Sequence, residues 1–279
     1  MRASAPSPSG SRRGRRSLLV LGLQLAILVL LIVGWEIGTN TATGPNRFLV
    51  DPFIWSRPSR IVARVGEWLG NGIILNNVFI TLYEALMSFV LGALAGVALG
   101  FVLGRSDLWS RVLNPFIQVV NALPRLVFAP IFFLLFGLDE NSKIALGFSL
   151  VFFIVFFNAY QGVREVDRNV FNNVRMLGAN ERQMTWYVLL PSALTWILTS
   201  LHTSVGFAMV GAVVGEYLGS ARGLGHVISQ SEGNLDATGV WAGMLVLCVV
   251  VVLVEVLVTQ LERRLVRWKP QPVTDVLAA

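Results

Sequence analysis

Residues 78–103 read VFITLYEALMSFVLGALAGVALGFVL, twenty-six positions whose only formal charge is Glu84. A helix needs about 20 consecutive apolar residues to cross the hydrocarbon of a bilayer, and this run has both the length and the composition. Within it Gly92, Gly96 and Gly100 recur every four residues, with Ser88 one step earlier and Gly104 one step later. Residues four apart share a helix face, so the ladder leaves a groove of missing side chains where a second helix can approach closely. Gly92, Gly96, Gly100 and Gly104 are therefore expected to be helix-packing positions.

Outward from this run, the whole chain repeats its character. Hydrophobic residues make up 54% of the 279 positions and charged residues 14%, with a mean hydropathy of +0.67. A soluble domain carries about a quarter charged residues. Here the charges sit at the edges of apolar blocks, so the lipid bilayer is the expected partner. The net charge of +6 does not point to nucleic acid, because the basic residues bracket apolar segments instead of forming a patch interleaved with aromatics. Cys248 is the only cysteine, which excludes a disulfide framework and a thiolate metal site.

The blocks divide the chain. Residues 1–16 are Ser, Pro, Gly and Arg and are expected to be a disordered basic tail. Residues 17–39 form the first expected span; a cleaved signal peptide is disfavoured because no small-x-small site follows. Residues 40–75 carry Pro45, Pro52 and Pro58 and an amphipathic stretch over 59–69, which reads as an interfacial helix in an extracytoplasmic segment. The core, 76–265, begins with the quoted run. A third span, 114–138, is expected to be one kinked helix because Pro115, Pro124 and Pro130 interrupt it. Spans over 144–163, 193–217 and 240–261 follow, with a polar insert at 164–191, a glycine-rich loop around Gly219, Gly223 and Gly225, and a tail at 266–279. The expected fold is all-α with six transmembrane helices. With both ends cytoplasmic, fifteen Lys and Arg fall inside and six outside, with Arg125 left within a span, as the positive-inside bias requires.

No enzyme constellation is present, so no catalytic residue, metal site or cofactor is expected. His202 and His226 lack companions at metal-ligand spacing. Neither Lys143 nor Lys269 belongs to a phosphate-cradling G-x-x-x-x-G-K-[ST] loop, so any ATP is bound by another subunit. Glu36, Glu84, Glu216 and Glu255 are read as interfacial charges near span ends, reachable by water or headgroups. On that reading no buried charged pair supports an ATP-independent secondary carrier or channel, which stays as the alternative. A membrane-embedded hydrolase or transferase would need paired ligands that two lone histidines do not supply.

The insert reads Asn172-Asn173-Val174-Arg175-Met176-Leu177-Gly178, then nine residues, then Val188-Leu189-Leu190-Pro191, counted from Gly178 to Val188. Gly178 permits a positive φ and Asn180 supports a turn there, while Pro191 suits the start of the next membrane helix. Two short amphipathic helices forming a knob fit this pattern. The segment resembles the coupling loop of binding-protein-dependent ABC importer permeases, Glu-Ala-Ala, three residues, Gly, nine residues, Ile-x-Leu-Pro. Gly178, Leu190 and Pro191 match, Val188 replaces the isoleucine, and Asn172-Asn173-Val174 replaces Glu-Ala-Ala. Pro124-Arg125-Leu126-Val127-Phe128-Ala129-Pro130, Leu135-Phe136-Gly137, Ser142-Lys143-Ile144, Val213-Val214-Gly215-Glu216-Tyr217 and Gly223-Leu224-Gly225 resemble the nitrate, sulfonate and taurine branch of that family.

The resemblance covers roughly residues 50–265 and implies a type I importer permease of MetI-like fold in a prokaryotic plasma membrane. It implies a cytoplasmic ABC ATPase in two copies, an extracytoplasmic solute-binding protein and a permease homodimer. Under it, Asn172, Asn173, Val174, Gly178, Val188, Leu190 and Pro191 couple to the ATPase. Polar residues inside the spans, Asn121 with Arg125 and the group Thr199, Ser200, Thr203 and Ser204, are the expected pathway residues, with Arg125 favouring an anion.

Overall fold

The computed structural model describes residues 10–40 and 51–265. All regular structure among these residues is helical. The helices in chain order are α1 (Gly10–Asn40), α2 (Pro52–Trp55), α3 (Pro58–Gly70), α4 (Ile73–Arg105), α5 (Asp107–Ala122), α6 (Ala129–Phe136), α7 (Glu140–Arg164), α8 (Arg168–Met176), α9 (Glu181–Met184), α10 (Leu190–Gly219), α11 (Leu224–Gly233) and α12 (Ala237–Leu265). Of the tail expected over 1–16, residues 1–9 lie outside the described residues, as do 41–50 and the expected tail 266–279. From Gly10 onward the chain is already helical, since no proline falls between Pro8 and Pro45.

α1, α4, α7, α10 and α12 are each long and apolar enough to cross a membrane. α4 and α7 run in the same direction: Gly92 meets Val151, Gly96 meets Val155 and Gly104 meets Val163. The chain between them must therefore return across the membrane, and 107–139 makes that crossing. It does so not as the single kinked helix expected from its prolines but as two arms at 86°. Pro115 sits inside α5 without ending it. The break comes at Leu123, held extended (φ −72°, ψ 133°) by the proline that follows it, and a 3₁₀ turn over Arg125–Phe128 then starts the second arm. Counting this broken crossing, the described residues supply up to six.

The centre of the bundle is the seam between α4, α7 and α10. A Cβ on Gly92 would lie 2.8 Å from the Val151 Cβ, on Gly96 2.9 Å from the Phe152 carbonyl oxygen, and on Gly104 3.0 Å from that of Tyr160. Gly147 and Gly211 repeat the device where α10 crosses α7 in the opposite direction, and a side chain on Gly211 would overlap the Gly147 backbone. Absence of side chains here lets backbones pack in van der Waals contact, the main attractive force between helices in lipid. Flanking this seam on α7, Phe148, Phe152, Phe156 and Tyr160 stack at every fourth position, with centroids 5.5–6.1 Å apart. The Tyr160 hydroxyl hydrogen-bonds Ser110, tying the first arm of the broken crossing to α7.

The two ends of the bundle differ. At one, amphipathic α3 packs on the start of α12, where Arg64 pairs with Asp236 at 2.5 Å and Trp241 stacks on Trp55. The glycine-rich loop expected between the last two spans contains a helix, α11, which lies against α4, α10 and α12 at this end. At the other end stand α8 and α9.

Candidate coupling segment and translocation pathway

Residues 164–191 form a protruding hairpin of two short helices. The Asp167 side chain accepts from the Asn169 N–H at 2.8 Å and so caps α8 at its start. The end of α8 is a Schellman closure: Ala179 N–H donates to the Val174 carbonyl and Gly178 N–H to that of Arg175. This closure needs a left-handed residue, and Gly178 has φ +85°. Two residues on, Asn180 and Gln183 form a reciprocal capping box that starts α9. A π turn over Thr185–Leu189 then joins α9 to α10, just before Pro191, whose missing N–H disturbs the ladder there.

These devices present an unusual surface. Met176 is 79% exposed, Leu177 86% and Tyr187 78%, with Trp186 beside them. Asn172 and Asn173 are exposed, Val174 and Leu190 half-buried, and Pro191 exposed, whereas Val188 and Leu189 turn inward and root the hairpin in the bundle. Glu181 faces both Arg105 (3.6 Å) and Arg175 (3.8 Å), orienting the hairpin against the end of α4.

The expected pathway residues do not share one surface. Thr199 and Thr203 are exposed on α10, but Ser200 and Ser204 face its packed side, where their hydroxyls donate at 2.7 Å to the carbonyls of Ile197 and Ser200. Arg125 and Asn121 do come together across the break in the third crossing: the guanidinium donates to the Asn121 side-chain oxygen at 2.9 Å and lies 5.4 Å from the Phe153 ring centre. The Arg125 Nε is buried without a partner.

Residues 88–267 match the family described as the binding-protein-dependent transport system inner membrane component. The chain belongs to this family. The permease is 34% identical over 221 residues to a putative aliphatic sulfonates transport permease of Bacillus subtilis, covering 79% of this chain and 80% of that one. It is 29% identical over 248 residues to the taurine transport system permease of Escherichia coli, covering 87% of each. A formylaminopyrimidine transport permease of Halalkalibacterium halodurans is also 29% identical, over 91% of this chain and 98% of its own. Among solved structures, an inward-facing form of the MetNI methionine ABC transporter shares the fold, with a TM-score of 0.56 at 19% identity over 78% of this chain and 98% of that one. The permease is thus a subunit of an ATP-binding-cassette importer of the nitrate, sulfonate and taurine type. Membership implies an ATPase and a substrate-binding protein as partners.

One expectation about its charges is overturned. Glu84 and Glu216 are not interfacial: they are 1% and 0% exposed, and Lys143 beside them is 0% exposed. Hydropathy placed both acids near span ends, but the packing register decides their burial. Glu84 stands four residues before Ser88 and eight before Gly92, so it continues the ladder onto the packed face of α4. Glu216 follows Gly215, which packs on Lys143 of α7, and turns its carboxyl to Thr81 on α4 and to the start of α11. Glu255 is an interhelical contact, its carboxylate 2.9 Å from His202 Nε2, while Glu262 lies 3.0 Å from Nδ1. Glu36 does lie at a span end, where it accepts from both the backbone and the hydroxyl of Ser59 on α3.

Proposed function

We propose that this permease imports a small sulfonate-like anion, with residues 164–191 coupling it to a separate cytoplasmic ATPase. The observation that carries the reading is the apolar knob of Met176, Leu177 and Tyr187, held out by a helix closure and a capping box. Large side chains exposed on an ordered hairpin are what a partner groove covers. Asn172, Asn173, Val174 and Gly178 lie on this knob, and Val188, Leu190 and Pro191 transmit its position to α10. With the Lys and Arg bias setting that end inside, both termini are cytoplasmic and 40–75 is extracytoplasmic.

Two ATPase copies, two identical permease chains and a binding protein that delivers solute complete the assembly. ATP is hydrolysed by the partner, and ATPase closure rotates the bundle between inward and outward states that differ in contacts. Arg125 with Asn121, at the break in the third crossing, and the exposed Thr199 and Thr203 line the route. Two relatives named for sulfonate-bearing solutes, together with the unpartnered Arg125 Nε, favour an anion. Formylaminopyrimidine is the second reading, favoured by the fuller overlap with that relative. An ATP-independent carrier has the buried Glu84, Glu216 and Lys143 in its favour, but no exposed coupling knob would be needed for it.

Uptake of labelled taurine into vesicles containing the permease, its ATPase and its binding protein tests the reading. Uptake that requires ATP is expected. Uptake without ATP would sink the pump, and ATP-driven uptake of formylaminopyrimidine alone would move the substrate to the second reading.

A further inference from the structure

Beneath the turn that joins α10 to α11, the permease buries two carboxyls and one ammonium in a single place. Charges this far from water are tolerated only when they neutralise and satisfy one another. Glu216 is well provided: one oxygen accepts from the Thr81 hydroxyl at 2.6 Å and the other from the Gly225 N–H at 2.7 Å. It also faces the start of α11, where unpaired N–H groups favour negative charge. Neighbouring N–H groups there are taken up from α4, Gly223 by the Asn77 side chain and Leu224 by the Thr81 hydroxyl. The two glycines are required by this approach, since a side chain on Gly223 would overlap the Glu216 carboxyl and one on Gly225 would meet its Cβ at 2.8 Å. Lys143 is equally well placed, its ammonium donating to the carbonyls of Leu138 and Asp139.

Glu84 is the exception. It stands one turn after Thr81 on the face of α4 that meets Glu216, so its buried carboxyl shares that pocket, and its Oε2 has no partner. Two carboxyls confined together away from water, with a single ammonium to balance them, keep one proton between them. An ionised oxygen left unpartnered in this position is far costlier than the neutral carbonyl oxygen of a carboxylic acid. Asp139 and Glu140, the other acids at this end of α7, are exposed and solvated.

We infer that Glu84 is a protonated carboxylic acid donating to an ionised Glu216, and that with Lys143 the pair forms a charge-neutral, one-proton latch. One ammonium, one carboxylate and one neutral acid sum to zero. Glu84 is a positioning residue: it acts through Glu216, which fastens the start of α11 to α4, while Lys143 brings in α7. The latch ties α4, α7, α10 and the start of α11 to one another.

The test is infrared spectroscopy of the assembled transporter at neutral pH, native and Glu84→Gln. The native protein is expected to show the carbonyl stretch of a buried protonated carboxyl, and the variant to lack it. In melting curves of the same assemblies, Glu84→Gln keeps a donor and is expected to stay within about 2 °C of native, whereas Glu84→Met, which cannot donate, falls by roughly 5 °C. Glu216→Gln strands the ammonium and falls by about 10 °C, and adding Lys143→Met recovers most of that loss. Absence of the band from native protein, or a Glu84→Gln loss equal to that of Glu216→Gln, would overturn the latch.

Discussion

Gly100, in the seam between α4 and α7, and Gly178, at the tip of the α8–α9 hairpin, are both indispensable glycines for opposite reasons. At Gly100 the missing side chain is what matters: a Cβ there would come within 2.5 Å of the Phe156 carbonyl oxygen. At Gly178 space is free, with nothing within 4 Å of the Cβ position, but the backbone is left-handed at φ +85°. The first glycine draws two helices together and buries what lies beside it. The second turns the chain back and leaves Leu177 in water. One region closes on itself; the other leaves large side chains, Met176, Leu177 and Tyr187, exposed.

The contrast can be broken most severely at the seam. Gly100→Leu forces the Phe156 backbone away and is expected to destabilise the bundle by about 3 kcal/mol; loss of the monodisperse peak in detergent is the readout, and an unchanged peak and melting curve would contradict the seam. Next, Leu177→Asp places a charge where an apolar groove is expected to close. ATPase retention should weaken by about 2 kcal/mol, roughly 30-fold, with melting unchanged, as measured by titrating purified ATPase onto the permease. Gly178→Ala strains the left-handed turn and is expected to cost about 1 kcal/mol, visible as a small loss in both measurements. The smallest effect belongs to Gly34→Leu on α1, where nothing lies within 4 Å of the added Cβ; it should shift melting by no more than about 0.5 kcal/mol.

The spans were legible because membrane hydropathy and proline placement are local signals, and the ladder of Gly92, Gly96, Gly100 and Gly104 disclosed a packing face by spacing alone. The turn at Gly178 was legible for the same reason. The 86° break was not: prolines announce an interruption, but the angle is set by how the second arm lies against α7. The burial of Glu84 lay within reach, since it continues the ladder at the same interval, yet its position near a span end suggested water. Ser200 and Ser204 were grouped with Thr199 and Thr203 by composition, whereas helix geometry sends the two pairs to different faces. Lys143 gave no sequence signal of its own, because its partners are the main-chain carbonyls of Leu138 and Asp139, and a carbonyl carries no residue identity.

The most direct measurement uses the single cysteine of the chain. With Cys248 replaced by serine, cysteine is introduced at Leu177 in one variant and at Val62, 63% exposed on α3 at the opposite end, in another. Each active transporter is then treated with a photoreactive thiol reagent. An ATPase adduct from position 177 and none from position 62 is the expected result. An adduct from position 62, or none from 177 in a transporter that still couples ATP to uptake, would contradict the assignment of this hairpin as the coupling element.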